Sequence, residues 1–268
     1  MNKGKLIGAG NTAEIYEYAG DKILKLFKEG IPKAAAVGEY QTTANVYRLL
    51  GICPKVFERV SLEGRAGIVY ERVKGKTLLE EMQSRFWRYK SLSVKMARCH
   101  SSLQKEVDFD LPTVKEKLKA DIRAADLLAQ EEKEKLYQYI ETLPEGGALC
   151  HFDFHPGNLI MRNGQLVVID WMTACRGASA ADAARTGIML RYAQAPVASK
   201  AAKRLLKWMQ RKIYKVYLTE YMKCTETRRE DIKRWEYPVM AARLCEWIPD
   251  EEKMVLLGKI REYSQSVH

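Results

Sequence analysis

The sequence predicts an α+β chain in two parts, a small β-rich N-terminal part (1–74) and a larger, mainly helical C-terminal part (75–268). Three observations carry this. Short alternating or β-branched runs, broken by glycine turns, fill much of the first seventy residues. Beyond Lys76, apolar residues recur at three- and four-residue spacing over long stretches. Within that helical part lies a strand–loop–strand segment dense in His, Asp and Asn, "LCHFDFHPGNLIMRNGQLVVIDW" (149–171). At roughly 150 residues per domain, the length sits between one domain and two. No internal repeat or low-complexity tract is present.

The elements follow in chain order. Lys5 to Ile7 is a short, partly apolar run. "EIYEY" (14–18) alternates, with Ile15 and Glu17 on one face and Tyr16 and Tyr18 on the other. "AGD" (19–21) is a turn signal, and "KILKLF" follows as a strand. Lys33 to Leu50 reads as a helix ended by Gly51 and Pro54. "AGIVYERV" (66–73) is another strand, and "KGKT" breaks the chain after it. Leu78 to Leu103 and Val114 to Leu143 then read as two helices, the second on Val114, Leu118, Ile122, Leu128, Leu136 and Ile140. The 149–171 segment contributes a strand, a loop and the strand "LVVID", with Gly164 turning the chain back on itself. The remainder, to Tyr263, is largely helical.

Composition narrows the function classes. No apolar run approaches the ~20 residues that span a bilayer, and "MNKGKLIGAG" lacks the apolar core of a signal peptide. The expectation is a cytoplasmic protein with no membrane span. The six cysteines, Cys53, Cys99, Cys150, Cys175, Cys224 and Cys245, form no C-x-x-C pair and read as reduced thiols, mostly buried. Net charge is +11, and its densest source is the stretch from Ser199. There Leu205, Leu206, Met209, Ile213 and Tyr217 mark one face of a basic amphipathic helix. Such a helix can bind membranes or acidic partners, but packing on the chain's own core is the more ordinary use and is expected here. No nucleic-acid partner is expected, and the sequence does not address oligomeric state.

Three segments carry chemistry. "GAGNTAEIYEY" (8–18) joins a glycine loop to strand residues. Glycines let backbone N–H groups approach phosphate oxygens, and the segment fits either an ordinary hairpin turn or a flap over phosphates. Lys25 lies between Leu24 and Leu26, which should face the core while Lys25 faces the other way. Lys22 and Lys28 fit solvated strand positions better. Glu39, in the following helix, could pair with Lys25, although a surface helix glutamate is the more ordinary reading of the position by itself. In 149–171, His151, Asp153 and His155 alternate as metal ligands on a strand could, but no soft third or fourth ligand accompanies them. The oxygen donors Asn158 and Asp170 suit a hard ion such as Mg²⁺ instead. That leaves Asp153 free to take a hydroxyl proton.

His151, Asp153 and Asn158 form H-x-D-x-x-x-x-N, followed by Ile169, Asp170 and Trp171. This resembles the signature of the aminoglycoside phosphotransferase and choline kinase family, small-molecule kinases with a protein-kinase-like fold. "HFDFHPGN" is close to that family's usual "HGDxHPGN". "GASAADAAR", with Gly177 and Asp182, and "ARCHSSLQ", with His100, also resemble it, and the match runs from Gly8 to about Arg185. The resemblance implies a bilobal protein-kinase-like fold with a nucleotide-binding N-lobe (1–74) and a C-lobe (75–268) holding the catalytic loop and the acceptor site. It implies an ATP- and Mg²⁺-dependent transfer of phosphate to a small-molecule hydroxyl, with GTP the alternative nucleotide. By the same resemblance, Asp153 is the catalytic base and Asn158 and Asp170 hold Mg²⁺. Lys25 contacts the phosphates with Glu39 bracing it, Gly8, Gly10, Asn11 and Thr12 cover them, and the backbone at Glu71 to Val73 meets the purine. His151 is expected to be structural. The alternative is a nucleotide-binding regulatory module without turnover.

Phe152 departs from the pattern, standing where the family usually has glycine, and an extended backbone is expected to accommodate it. The acceptor is the least legible part. The stretch from Ser199 has an excess of Lys and Arg over Asp and Glu, which weighs against a polycationic acceptor. "CEWIPDEEK", with Glu246, Asp250, Glu251 and Glu252, is the best candidate for a local acidic pocket. Trp235, Tyr237 and Trp247 are candidates for an ammonium-binding cage, with ordinary core and surface aromatics the favoured reading.

Overall fold

A computed structural model describes residues 3–194 and 199–266. They form two compact units, Met1–Glu81 with Pro156–Thr173, and Met82–His155 with Ala174–His268. The expected mixture of an antiparallel N-terminal sheet and a larger helical part is present.

The first unit is built on β1 (Leu6–Ala9), β2 (Ala13–Tyr18), β3 (Lys22–Phe27), β4 (Val56–Leu62) and β5 (Arg65–Glu71). They form one antiparallel sheet in the order β1-β2-β3-β5-β4. Its central strands are covered on both faces. On one face Leu24, Leu26 and Val69 pack with Tyr16, Tyr18, Val60 and Leu62. On the other Phe27, Ile68 and Tyr70 pack with Ala13 and with Ala36 of helix α1 (Lys33–Leu50). Each fully buried Leu or Phe contributes about 1.5–3 kcal/mol to such a core. Two covered faces explain why β3 and β5 read as near-continuous apolar runs, and why a lysine in β3 stands out.

The buried stripe of α1 is Ala36, Glu39, Thr42, Thr43 and Val46, one face of a helix. Gly51 ends it at φ 65°, with its N–H donating to the Tyr47 carbonyl at 2.9 Å. A second sheet joins β6 (Lys76–Thr77), β8 (Leu159–Arg162) and β9 (Gln165–Val168). Asn163 and Gly164, at φ 50° and 80°, make the two-residue turn between β8 and β9.

The second unit holds α3 (Tyr89–Ser102), α4 (Val114–Arg123), α5 (Gln130–Glu141), α6 (Ser179–Tyr192), α7 (Lys200–Thr225), α8 (Arg229–Arg243) and α9 (Asp250–Ser266). A short ladder pairs β7 (Ala148–Cys150) with β10 (Cys175–Gly177). Every residue of α6 from Ala180 to Leu190 is buried. A helix enclosed on all sides forces the polar groups it carries to find partners inside the protein. All six cysteines are free, and Cys150 and Cys175 face each other across the ladder.

Several expectations need correction. Leu78 to Leu103 is not one helix but α2 (Leu78–Ser84), a turn of 3₁₀ helix (Phe86–Arg88) and α3. Phe86 and Trp87 in the break are exposed, so apolar residues kept the pattern alive without a packed face. Val114 to Leu143 is likewise divided into α4 and α5. All six of its marker residues are buried, but Ile122 and Leu128 are six apart, about 240° round a continuous helix. The chain must break to bury both, and Glu132 caps the new start by accepting the Ala129 N–H at 2.9 Å. Strand β4 is not marked by any pattern in the sequence. The basic stretch from Ser199 is one helix, α7, capped by the Ser199 hydroxyl. Tyr217, Leu218 and Tyr221 are buried, whereas Leu205 is 62% exposed. Own-core packing therefore covers that apolar face fully only at its Tyr217 end; Leu206, Met209 and Ile213 are half-buried and Leu205 is exposed. Among the described residues no helix is long and apolar enough to cross a membrane.

Candidate active site

One cluster lies within the first unit. Lys25 in β3 and Glu39 in α1 are both buried, with Lys25 Nζ 2.7 Å and 2.8 Å from the two Glu39 oxygens. The Tyr70 hydroxyl donates to Glu39 Oε1 at 2.8 Å. Lys25 Nζ also reaches Asp170 Oδ1 at 3.0 Å. Burial alone would push the lysine pKa down, but the Glu39 and Asp170 carboxylates outweigh it and hold it above the ordinary value. The ammonium is therefore fully charged at neutral pH.

Asp170 follows β9, with its backbone in the left-handed region at φ 64°. Asn158 precedes β8 at the same end of the hairpin. The Ile169 N–H donates to the Asn158 carbonyl at 3.0 Å, fixing the two oxygen-bearing residues across the ladder from one another. Asn158 is buried, and the Asp170 side chain is 38% exposed. Asn158 and Asp170 are oxygen donors of the type that could hold a hard cation, and Lys25 supplies a positive charge suited to phosphate oxygens.

In the glycine loop, the Gly10 N–H donates to the Ala13 carbonyl at 2.8 Å and closes the turn between β1 and β2. A methyl group at Gly10 would come no nearer than 3.8 Å to any other atom, and one at Gly8 no nearer than 3.7 Å. Neither glycine has a positive φ. Packing and backbone geometry within the chain thus demand glycine at neither position. Asn11 and Thr12 complete the loop, and the Thr12 carbonyl accepts the Lys28 N–H at 2.8 Å. The Glu71 N–H is committed to the Lys55 carbonyl at 2.9 Å, and Val73 lies two residues beyond the end of β5.

A second cluster lies within the second unit, around His151 to His155. Asp182 in α6 is its anchor. Asp182 Oδ2 accepts the His151 N–H at 2.7 Å, and Oδ1 accepts the Phe152 N–H at 2.9 Å. His100 Nε2 lies 3.0 Å from Oδ2, and its Nδ1 lies 2.6 Å from the Tyr217 hydroxyl. The His100 ring stacks on Phe154 with centroids 4.1 Å apart. Burial would raise the Asp182 pKa, but the interactions with His100 and His151 prevail and hold it below the usual carboxylate range.

His151 is fully buried, and its Nδ1 accepts the Asp153 N–H at 3.2 Å. The alternating His151, Asp153 and His155 do not form a zinc set: His151 spends a ring nitrogen on the backbone, and among the described residues no three His, Cys, Asp or Glu side chains gather as a metal cage. His155 Nε2 lies 3.6 Å from Asp153 Oδ2, an ion-pair rather than a hydrogen-bond distance. Burial pushes the Asp153 carboxyl up, but His155, the Arg185 guanidinium and His151 more than offset it, leaving the pKa well below normal. Asp153 is an ionised carboxylate with its side chain 29% exposed.

Phe152 does not have the extended backbone expected of it. Its φ is +61°, the left-handed region that glycine enters without penalty and a bulky residue enters only under constraint. In this chain the side chain is fully buried.

Neither of the two candidate acceptor features forms. Three carboxylates of the "CEWIPDEEK" cluster are already neutralised. Glu246 pairs with Arg185 and with Arg243, both at 2.6 Å; Glu252 pairs with Arg243 at 2.9 Å; Glu251 pairs with Lys203 at 3.2 Å. The aromatic cage does not form either. Trp235 is buried, Tyr237 stacks on Tyr263 at 4.8 Å, and Trp247 is 70% exposed.

A model of the phosphotransferase enzyme family matches residues 3–212. The chain belongs to that family. It is a small-molecule phosphotransferase by family, with the protein-kinase-like fold of its structural neighbours. The choline kinase LicA from Streptococcus pneumoniae is similar in fold at TM-score 0.64 and 15% identity, covering 98% of this chain and 94% of that one. An aminoglycoside-3'-phosphotransferase of type VIII gives 0.62 at 19% identity, over 89% and 91%. Amicoumacin kinase hAmiN, in complex with AMP-PNP, Ca²⁺ and Ami, gives 0.60 at 17% identity, over 97% and 87%. A search of the curated proteins finds no match.

Sequence reasoning missed Tyr70, Arg185 and Tyr217, and it gave Asp182 and His100 no role. The signal for two of them was present. Asp182 and Arg185 are charges in "ASAADAAR", a helix of small apolar residues that has no polar face to carry them.

Proposed function

We propose that this phosphotransferase moves the γ-phosphate of ATP to a hydroxyl of a small molecule with Mg²⁺ as cofactor, GTP being the alternative nucleotide. The observation that carries this reading is the buried Lys25–Glu39 pair extended to Asp170, inside a family whose chemistry is phosphate transfer. A charged lysine held between two carboxylates is costly to bury and has no merit as packing. It is suited to phosphate oxygens, which would take up the charge that Asp170 accepts here.

In this reading Lys25 binds the nucleotide phosphates and Glu39, itself held by Tyr70, keeps the lysine pointed. Gly8 to Thr12 cover the phosphates, and the absence of any internal need for glycine at 8 and 10 supports a close approach from outside the chain. Glu71 to Val73 meet the purine through their backbone. Asn158 and Asp170 hold Mg²⁺, which when bound neutralises charge on the phosphates. Asp153 accepts the proton of the acceptor hydroxyl and orients it. Its low pKa makes it a weak base but an always-ionised one, which suits orientation more than early proton removal. The neutralised cluster around Glu246 and Glu252 argues for an acceptor other than a polycation bound at that place.

The test is an ATP-consumption screen against aminoglycosides, choline and ethanolamine, amino-acid alcohols, sugars and nucleosides. Acceptor-dependent turnover with Mg-ATP is expected. Mg-ATP binding without turnover on any acceptor would favour a regulatory module, and neither binding nor turnover would overturn the reading.

A further inference from the structure

Arg185 is given no role in the transfer itself in the reading above, yet among the described residues it is the least exposed arginine or lysine of the second unit. It lies in α6, 3% exposed. Its Nε donates to the Phe152 carbonyl. Its guanidinium carbon sits 5.0 Å from the centroid of the Phe152 ring. Nη2 donates to Glu246 at 2.6 Å, and Nη1, also buried, has no hydrogen-bond partner. Asp182, one helical turn earlier on α6, accepts the N–H of the same Phe152 at 2.9 Å.

One helix thus grips both backbone polar groups and the ring of the single residue that stands in the left-handed region immediately before Asp153. A bulky residue does not hold φ +61° unless its surroundings over-determine it. An arginine kept buried with one donor unsatisfied is poor packing, since an apolar residue of similar volume would serve the core at least as well. A cost tolerated by the fold at a functional loop is the ordinary mark of a positioning role.

We propose that Arg185 is a positioning residue that latches Phe152 in the left-handed conformation, and so aims the Asp153 carboxylate at the acceptor hydroxyl. The proposal rests on Asp153 being the residue that orients the nucleophile. It accounts for phenylalanine where the family's usual residue is glycine: the ring gives the guanidinium a face to lie on, and the guanidinium supplies the restraint that glycine does not need. The charge of Arg185 is also among the influences that keep Asp153 ionised.

The test uses the full-length chain, with basal Mg-ATP hydrolysis and amide exchange of the 149–155 peptide as paired readouts. Arg185→Met should lower kcat at least tenfold and leave KM for Mg-ATP within twofold, while exchange in 149–155 accelerates. Arg185→Lys should recover part of the loss. Adding Phe152→Gly to Arg185→Met should restore at least a third of wild-type kcat and slow the exchange again, because glycine adopts φ +61° without a latch. A purely structural arginine predicts no such rescue. Equal kcat in Arg185→Met with and without Phe152→Gly, or a kcat in Arg185→Met within twofold of wild type, would overturn the proposal. If Arg185→Met yields no folded protein, Arg185→Lys with and without Phe152→Gly makes the same comparison. Failure of the underlying reading looks different: Asp153→Ala would then keep its turnover, while the exchange data would still report whether the latch exists.

Discussion

Replacing Asp182 by alanine should destabilise the second unit heavily without touching any group that meets a substrate. The carboxylate is 2% exposed and satisfies three buried donors: the His151 N–H, the Phe152 N–H and His100 Nε2. A buried donor left without an acceptor costs about 1–3 kcal/mol. Three such donors, with water admitted to some of the vacated space, sum to roughly 4 kcal/mol. That is a large share of the ~5–15 kcal/mol that separates folded from unfolded chains. At about 2–4 °C per kcal/mol for a chain of this size class, Tm should fall by ~8–16 °C in scanning calorimetry. The effect has a pH signature. The folded pKa lies below the ordinary carboxylate value, so the stabilisation is complete above the unfolded pKa of about 3.9 and disappears as pH falls through the folded value. The difference in Tm between wild type and Asp182→Ala should therefore stay constant from about pH 7 to pH 5 and narrow below about pH 4. A variant within ~2 °C of wild type at pH 7 would refute the reasoning, because it would mean that the three donors are satisfied by something else.

Three further outcomes are expected. Gly10→Ala should leave Tm unchanged, since its methyl group meets no crowding, yet weaken Mg-ATP binding at least threefold by calorimetry; unaltered affinity would count against the phosphate-covering loop. Lys25→Met should leave Glu39 buried beside Tyr70 without its cation, costing about 3–5 kcal/mol of stability by denaturant titration as well as nucleotide affinity; a loss of affinity alone would show that water reaches Glu39. Asp170→Ala should abolish the difference between nucleotide affinities measured with and without Mg²⁺, and persistence of that difference would remove Asp170 from the metal site.

The parts of the fold legible in the sequence are those where packing has one periodicity. Helix α1 was readable because its buried stripe runs from Ala36 to Val46 at helical spacing and Gly51 ends it with a positive φ. Strands β3 and β5 were readable as apolar runs because both their faces are covered. Strand β4 gave little signal because it is an edge strand with no fully buried residue: Val56, Val60 and Leu62 are half-buried against the core, and a register shift between Val56 and Glu58 breaks the alternation. The division between α4 and α5 lay in the six-residue step from Ile122 to Leu128, a phase slip that a count of apolar residues does not register.

The candidate site divides in the same way. Lys25, Glu39, Asp153, Asn158 and Asp170 announce themselves by residue type and spacing. Arg185 and Glu246 are 61 residues apart, and only the folding of α6 against the end of α8 brings them together. Phe152 was misread because side-chain bulk is visible in a sequence and backbone handedness is not.

The central claim is that Asp153 orients the acceptor for phosphate transfer while other residues bind the nucleotide. Steady-state turnover of Asp153→Ala, with an acceptor identified by the ATP-consumption screen, tests this most directly. The account predicts a fall in kcat of about 10²–10⁴-fold with Mg-ATP affinity retained. Turnover close to wild type would contradict it.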